Sequence, residues 1–142
     1  MTEALQIIGV DIENVGQPRN DGSHGSALYA VPIRLSRRPT AREAELLVAH
    51  WDRPASWSTM HRRGIARVYE DRLILDGTTI EEVERYHAET VRLAVSATNR
   101  DEARAPEQDL SRQRQAAEEA EAHRQRVRAT AERIRFDGDE AR

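Results

Sequence analysis

Two segments of alternating hydrophobic and polar residues open the chain and predict two β-strands. The first covers residues 4–15, where a bulge near Gly9 reconciles two opposite parities of apolar residues. The second covers residues 28–35 and contains Pro32, whose nitrogen cannot donate a hydrogen bond to a neighbouring strand. We therefore expect Pro32 to face an unpaired edge or a bulge.

A third alternating segment, residues 65–75, predicts a tight hairpin that turns at residues 70–71. With that turn, Ala66, Val68, Leu73 and Leu75 fall on one face, where facing pairs stabilise a sheet. This hairpin would complete a set of four strands.

The string Thr-x-x-Glu occurs at Thr40 and again at Thr79, each time after a predicted strand. It is the signature of a capping box, in which the Thr side chain and the Glu side chain bond each other's backbone amides. Apolar residues at helical spacing follow both strings, and Pro54 prevents the first helix from continuing. The inner stripe predicted for the second helix is Ile80, Val83, His87, Val91, Ala94, Val95 and Thr98.

The order ββα-ββα predicts an α+β fold, a mostly antiparallel four-stranded sheet with two helices on one face, plus a charged C-terminal helix. Residues 1–99 hold most large apolar residues and should form the folded domain. Residues 100–142 should form a charged helical appendage, in which Pro106 breaks the helix or marks the end of its frayed part and residues 137–142 are disordered.

The appendage allows two interpretations. Ala120, Val127 and Ile134 repeat every seven residues, but the residues between them make a poor coiled-coil seam. A solvated single helix held by charge pairs is one alternative. A coiled coil that forms only with a partner is the other.

Composition removes several kinds of chemistry. The 142-residue chain has a formal net charge of −3, and neither part shows the basic excess typical of nucleic-acid-binding domains. It has no Cys, and all 22 basic residues are Arg, so thiolate, Schiff-base and P-loop lysine chemistry are excluded. We see neither a signal peptide nor an apolar run long enough for a membrane span, so we expect a soluble cytoplasmic protein. Nothing in the sequence calls for a cofactor.

Histidines offer a weak metal hypothesis. Glu84 and His87 have the Glu-x-x-His spacing of di-metal helical bundles, but a second copy is missing, so we expect a buried, hydrogen-bonded structural His87. His50, His61 and His87 could bind zinc if they converged. A metal-dependent enzyme that uses these histidines is therefore the third and weakest functional hypothesis.

Two arginine pairs offer a second hypothesis. Arg37 and Arg38 precede the first helix, and Arg62 and Arg63 precede Gly64. Guanidinium groups match phosphate oxygens in geometry and charge, so these four residues are candidates to bind a phosphorylated ligand or nucleic acid. If both pairs lay at one edge of the sheet, they would form a single patch.

The segment 57–64 supports the leading hypothesis. Its Trp and Arg are the residue types that dominate binding energy at interfaces, and loops on a rigid scaffold often carry such groups. Trp51 should be core, whereas Trp57 is either a lid on the sheet edge or an exposed anchor. We therefore predict a non-catalytic module that binds a protein partner or itself through this loop and the charged C-terminal helix. Its predicted contact residues are Trp57, Met60, His61, Arg62 and Arg63.

Overall fold

The computed structural model of the chain describes residues 3–137 and contains a four-stranded antiparallel sheet. The strands are β1 (Ile7–Val10), β2 (Tyr29–Leu35), β3 (Ala66–Tyr69) and β4 (Arg72–Thr78), and their order across the sheet is β1-β2-β4-β3. Helix α1 (Ala41–Asp52) follows β2. Helix α2 (Ile80–Glu82), a π-helical turn (Val83–His87) and helix α3 (Ala88–Arg133) follow β4 without a break. The predicted α+β class and strand arrangement are confirmed.

The first strand is shorter than predicted, because Pro32 ends its pairing with β2. Asp11 donates its amide to the Pro32 carbonyl at 2.9 Å, but Pro32 has no N–H with which to return a bond. The Asp11 carbonyl instead accepts from Asn14 in a 3₁₀ turn over Ile12–Asn14. Pro32 thus lies in an interior strand, and its missing donor falls where the neighbouring strand stops. The predicted bulge is confirmed, since the register shifts between Ile7 and Gly9.

The core lies between one face of the sheet and the helices. Val31 and Ile33 of β2, Leu73 and Leu75 of β4, and Trp51 of α1 are all buried. The predicted hairpin register is confirmed, with Val68 opposite Leu73 and Ala66 opposite Leu75. The predicted inner stripe of the second helix is also buried from Val83 onward; its buried members are Val83, His87, Val91, Ala94, Val95 and Thr98.

A pair of hydrogen bonds ties the start of the chain to α3. The Leu5 amide donates to Asn99 Oδ1 at 2.9 Å, and Asn99 Nδ2 donates back to the Leu5 carbonyl at 2.9 Å. Asn99 thereby replaces the backbone partner that a further strand would supply, and Leu5 is buried.

The residues group into two compact units, the first ending at Ala103 and the second beginning at Arg104. In the second unit, α3 continues through Pro106, so the predicted helix break is wrong. Every residue from 106 to 137 is exposed, and ion pairs three residues apart, such as Glu121–Arg124, line the helix. Pro106 removes the helical hydrogen bond to the carbonyl of Glu102, a partly exposed residue, and the helix continues despite that loss. The predicted disordered end, residues 137–142, lies outside the described residues except for Asp137.

Candidate functional site

The link between α1 and β3 is fixed by backbone anchors. Trp51 Nε1 donates to the Arg62 carbonyl at 2.8 Å, and the Gly64 amide donates to Asp52 Oδ1 at 2.8 Å. Gly64 has a φ of 80°, which a residue without a Cβ adopts freely. The segment 57–64 is therefore held in one conformation on the end of α1, although it has no regular secondary structure.

Four aromatic rings stack beneath and within this segment; we call Trp51, Trp57, His61 and His87 the Trp–His cluster. The His61 ring lies 4.5 Å from Trp51 and 5.0 Å from Trp57, measured between centroids. His87 approaches the Trp51 ring edge-on at 5.3 Å. Edge-on and tilted contacts are the geometries that aromatic rings favour. The cluster thus connects the buried core, through His61, to the outermost ring, Trp57.

Both histidines of the cluster lack hydrogen-bond partners among the described residues. All four of their ring nitrogens are buried, and the nearest carboxylate oxygen, Glu82 Oε1, lies 3.8 Å from His87 Nε2. Burial lowers the pKa of His87, an effect that the negative charge of Glu82 partly opposes. Burial also lowers the pKa of His61. The prediction that His87 is buried is confirmed, but the prediction that it is hydrogen-bonded is wrong.

The π-helical turn sets the position of His87. The amide of Ala88 donates to the carbonyl of Val83, five residues back, so the turn is wider than an α-helical one. His87 is the last residue of this turn, and its side chain is completely buried. Such single π-helical turns occur often at functional sites. The wider turn changes the direction in which the side chains after it leave the helix.

Glu82, which the sequence analysis predicted only as the Glu of a capping box, is a charged residue of this site. Its carboxylate forms a bidentate ion pair with Arg62, with Nε–Oε1 at 3.1 Å and Nη2–Oε2 at 2.8 Å. It also accepts a hydrogen bond from Thr78 Oγ1 at 2.7 Å. Arg62 is the main cause of a lowered pKa of Glu82. The carboxylate is thereby fixed in its ionised form between the link and the π-helical turn.

The two arginine pairs do not form a single patch. Strands β2 and β3 are both antiparallel to β4, so they run in the same direction. Arg37 follows the end of β2, whereas Arg62 precedes the start of β3, which places the pairs at opposite ends of the sheet. The hypothesis of one combined patch is therefore wrong.

One arginine of each pair is also already bound to a carboxylate. Arg37 donates to both oxygens of Glu43 at 2.7 Å, just as Arg62 does to Glu82. Arg38 and Arg63 are exposed. Two of the four candidate residues thus act inside the protein, and Arg38 and Arg63 are the two that face solvent.

The histidines do not converge as a set of three. His61 and His87 lie with ring centroids 6.4 Å apart, but His50 Nε2 bonds Asp101 Oδ2 at 2.7 Å instead. Within residues 3–137, no group of three or more His, Asp or Glu side chains has a geometry that could hold a metal ion. The hypothesis that these three histidines converge on a zinc ion is therefore wrong for these residues.

The predicted contact residues divide into two sets. Trp57 is 58% exposed, so it is not a lid, and Arg63 is also exposed. Met60, in the same segment, is half-buried. His61 and Arg62, by contrast, turn inward to the Trp–His cluster and to Glu82. We call Trp57, Met60 and Arg63 the Trp57 surface.

The chain matches no protein-family model, and neither curated proteins nor solved structures show a significant similarity to it. In the part of the chain that the structure describes, no helix is both long and apolar enough to cross a membrane.

Proposed function

We propose that this protein is a non-catalytic interaction module that binds a protein partner through the Trp57 surface. The observation that carries the proposal is an indole that is 58% exposed on a segment held by buried contacts. Exposing an indole to water forgoes the free energy that its burial would contribute. An interface recovers that free energy, and Trp is among the residues that most often dominate binding.

The support beneath Trp57 favours binding without a large rearrangement. Its ring rests edge-on against His61, and the Arg62–Glu82 pair and the Gly64–Asp52 bond fix the chain that follows it. An anchor that is already ordered loses less conformational entropy when the partner arrives. Arg63, exposed at the rim, adds a positive charge that would steer an acidic partner.

The charged helix beyond Arg104 is the second contact element of this proposal. Leu110, Val127 and Ile134 are each at least half exposed, and Val127 and Ile134 lie on one face with His123, Thr130 and Ala131. A helix of this kind would bury that stripe against another amphipathic helix in a coiled coil. Val127→Glu together with Ile134→Glu should then abolish association of the protein with the chain that supplies this second helix. Sedimentation experiments would show the loss, because both charges would enter the helix–helix interface. Unchanged sedimentation would remove the helix from the proposal.

The main test compares two exposed apolar side chains. Trp57→Ala should remove binding of proteins captured from the native cell, and Ile12→Ala serves as the matched control because Ile12 is 81% exposed in the 3₁₀ turn. Neither change should alter the free energy of unfolding, measured by urea denaturation, by more than about 0.5 kcal/mol. If Trp57→Ala retains every partner that the unchanged protein captures, the proposal is wrong.

Arg62, although it is one of the predicted contact residues, is unsuitable for this test. Its removal would leave Glu82 without its main partner, and Glu82 is only 15% exposed. Arg62→Ala should therefore lower stability as well as alter the loop. Arg63→Ala changes the rim charge alone and should slow association, most visibly at low salt.

A further inference from the structure

The outer edge of β3 carries backbone groups that no other strand uses. β3 is last in the sheet and pairs only with β4. Tyr69 and Arg72 flank the hairpin turn, and the Ile65 carbonyl accepts a hydrogen bond from the Asp76 amide. In an antiparallel pair only every second residue of a strand bonds to its neighbour, so the hydrogen bonds to β4 come from residues 65, 67 and 69. The N–H and C=O groups of Ala66 and Val68 point the other way. Among residues 3–137, no backbone group bonds to them.

A groove runs beside this edge. Helix α1 forms its other wall with Ala44, Glu45, Val48 and Ala49, and residues 66–68 form the strand wall. Its volume is about 460 Å³, and its lining is mostly apolar. A strand added to β3 would place the residues opposite Ala66 and Val68 on this face, because facing residues share a side of the sheet.

The two edges of the sheet are protected differently. The free edge of β1 belongs to a four-residue strand interrupted by a bulge at Gly9, which is a common protection against edge pairing. β3 has an unbroken register over residues 66–69. Of the two edges, β3 is therefore the one that presents a regular template.

Charge selects the occupant of this edge. Arg67 lies between Ala66 and Val68 and points to the opposite, open face. Its present partner, Asp76, is 3.6 Å away, and both side chains are more than half exposed, so that pair contributes little. Antiparallel pairing of two copies centred on Arg67 would place the two guanidinium groups opposite each other, which is unfavourable. An acidic residue at that position would be attracted.

We propose that the β3 edge binds, by strand addition, an extended segment of another protein with the alternating pattern apolar–acidic–apolar. The backbone of Ala66 and Val68 supplies the hydrogen bonds, and the groove against α1 accepts the two apolar side chains. Arg67 selects the acidic residue between them. Recognition of this kind takes affinity from the main chain and specificity from alternate side chains. This surface is distinct from the Trp57 surface and does not depend on it.

The experiment uses the full chain and two labelled synthetic peptides that differ at one position, with the core Val-Glu-Val or Val-Arg-Val. Fluorescence anisotropy should show the acidic peptide binding about 2- to 30-fold tighter, the range given by exchanging an attractive cross-strand pair for a repulsive one. Arg67→Glu should reverse that order. Ala49→Arg should fill the groove and weaken both peptides, whereas Ala117→Arg, on the exposed part of α3, should change neither.

Four results would overturn the proposal. The first is equal affinity for the two peptides, and the second is failure of both to bind. The third is loss of peptide binding in Trp57→Ala, which would place the peptide on the Trp57 surface. Self-association that Val68→Pro abolishes would also overturn it, because the occupant of the edge would then be a second copy. If the peptide result holds while Trp57→Ala retains all captured partners, only the function proposed for the Trp57 surface fails.

Discussion

Glu82 is the residue at which the two capping boxes diverge. Thr40 and Glu43 form the complete reciprocal box, but at Thr79 only the Thr half is present. The amide of Glu82 donates to Thr79 Oγ1, while its carboxylate turns to Arg62 and Thr78. A side chain that would have capped a helix instead supports the segment that carries Trp57. This single diversion links helix α2 to the candidate site.

The ion pair of Arg37 and Glu43 should matter more than its surface position suggests. The Glu43 side chain is 3% exposed, and Arg37 is the largest cause of its lowered pKa. Arg37→Ala would leave a buried carboxylate without its cation, so we expect a loss of about 3 kcal/mol in the free energy of unfolding. Arg38→Ala is the matched control, and its effect should stay within about 0.5 kcal/mol. Equal urea midpoints for the two variants would contradict this prediction.

The buried histidines should make stability depend on pH. His87 and His61 have pKa values below 6.5 in the folded protein, whereas the unfolded chain takes up protons near 6.5. Stability should therefore be complete above pH 6.5 and fall as the pH drops toward about 5, by at most about 1.4 kcal/mol per pH unit for each histidine. Glu82 also has a lowered pKa, so its protonation lowers the free energy of unfolding further, but only at more acidic pH.

Urea unfolding at a series of pH values checks this prediction. His87→Leu removes one titrating group and should flatten the slope between pH 6.5 and 5. His24→Gln, in an exposed loop, is the control and should leave the slope unchanged. A stability that stays constant over this interval in the unchanged protein would show that burial does not hold these imidazoles neutral.

At the scale of the elements, local patterns predicted where the helices begin. The structure places the N-caps at Thr40 and Thr79. Thr40→Ala and Thr79→Ala should each destabilise the protein by about 0.5–2 kcal/mol, because an amide of the first turn loses its acceptor. Ser at either position should restore most of the loss, and Thr59→Ala, in the exposed link, should have no such effect. Unmoved denaturation midpoints for both alanine variants would contradict the assignment of these caps.

Strands, helix starts and the hairpin register were predictable because they follow from neighbouring residues. Three features were not predictable, and two of them depend on a distant part of the chain. Asn99 holds Leu5 across 94 positions, and Glu82 turns to Arg62 across 20. The π-helical turn carries no apolar-spacing signal of its own, because the stripe of Val83, His87 and Val91 fits an α-helix equally well. The sequence thus predicted which segment forms the candidate site. It did not predict which residues of that segment face the core and which face solvent.

At the scale of the whole molecule, the first unit should fold without the second. Residues 106–137 are all exposed, so their removal takes away little buried apolar surface. A chain that ends at Arg104 should unfold in urea in one cooperative transition, with a midpoint close to that of the full chain. A broad, non-cooperative transition in the shortened chain alone would show that the charged helix contributes to the core.

The clamp between Leu5 and Asn99 has a consequence for the order of events during synthesis. Chains grow at about 5–20 residues per second, so Asn99 is made roughly 5–20 s after Leu5. Throughout that interval the segment around Leu5 has no Asn99 to hold it, although β2 becomes available to pair with β1 once Leu35 has been made. The first strand of this sheet to be made is therefore among the last to be secured, and a ribosome that stalls before the codon for Asn99 would present it unprotected to chaperones and proteases.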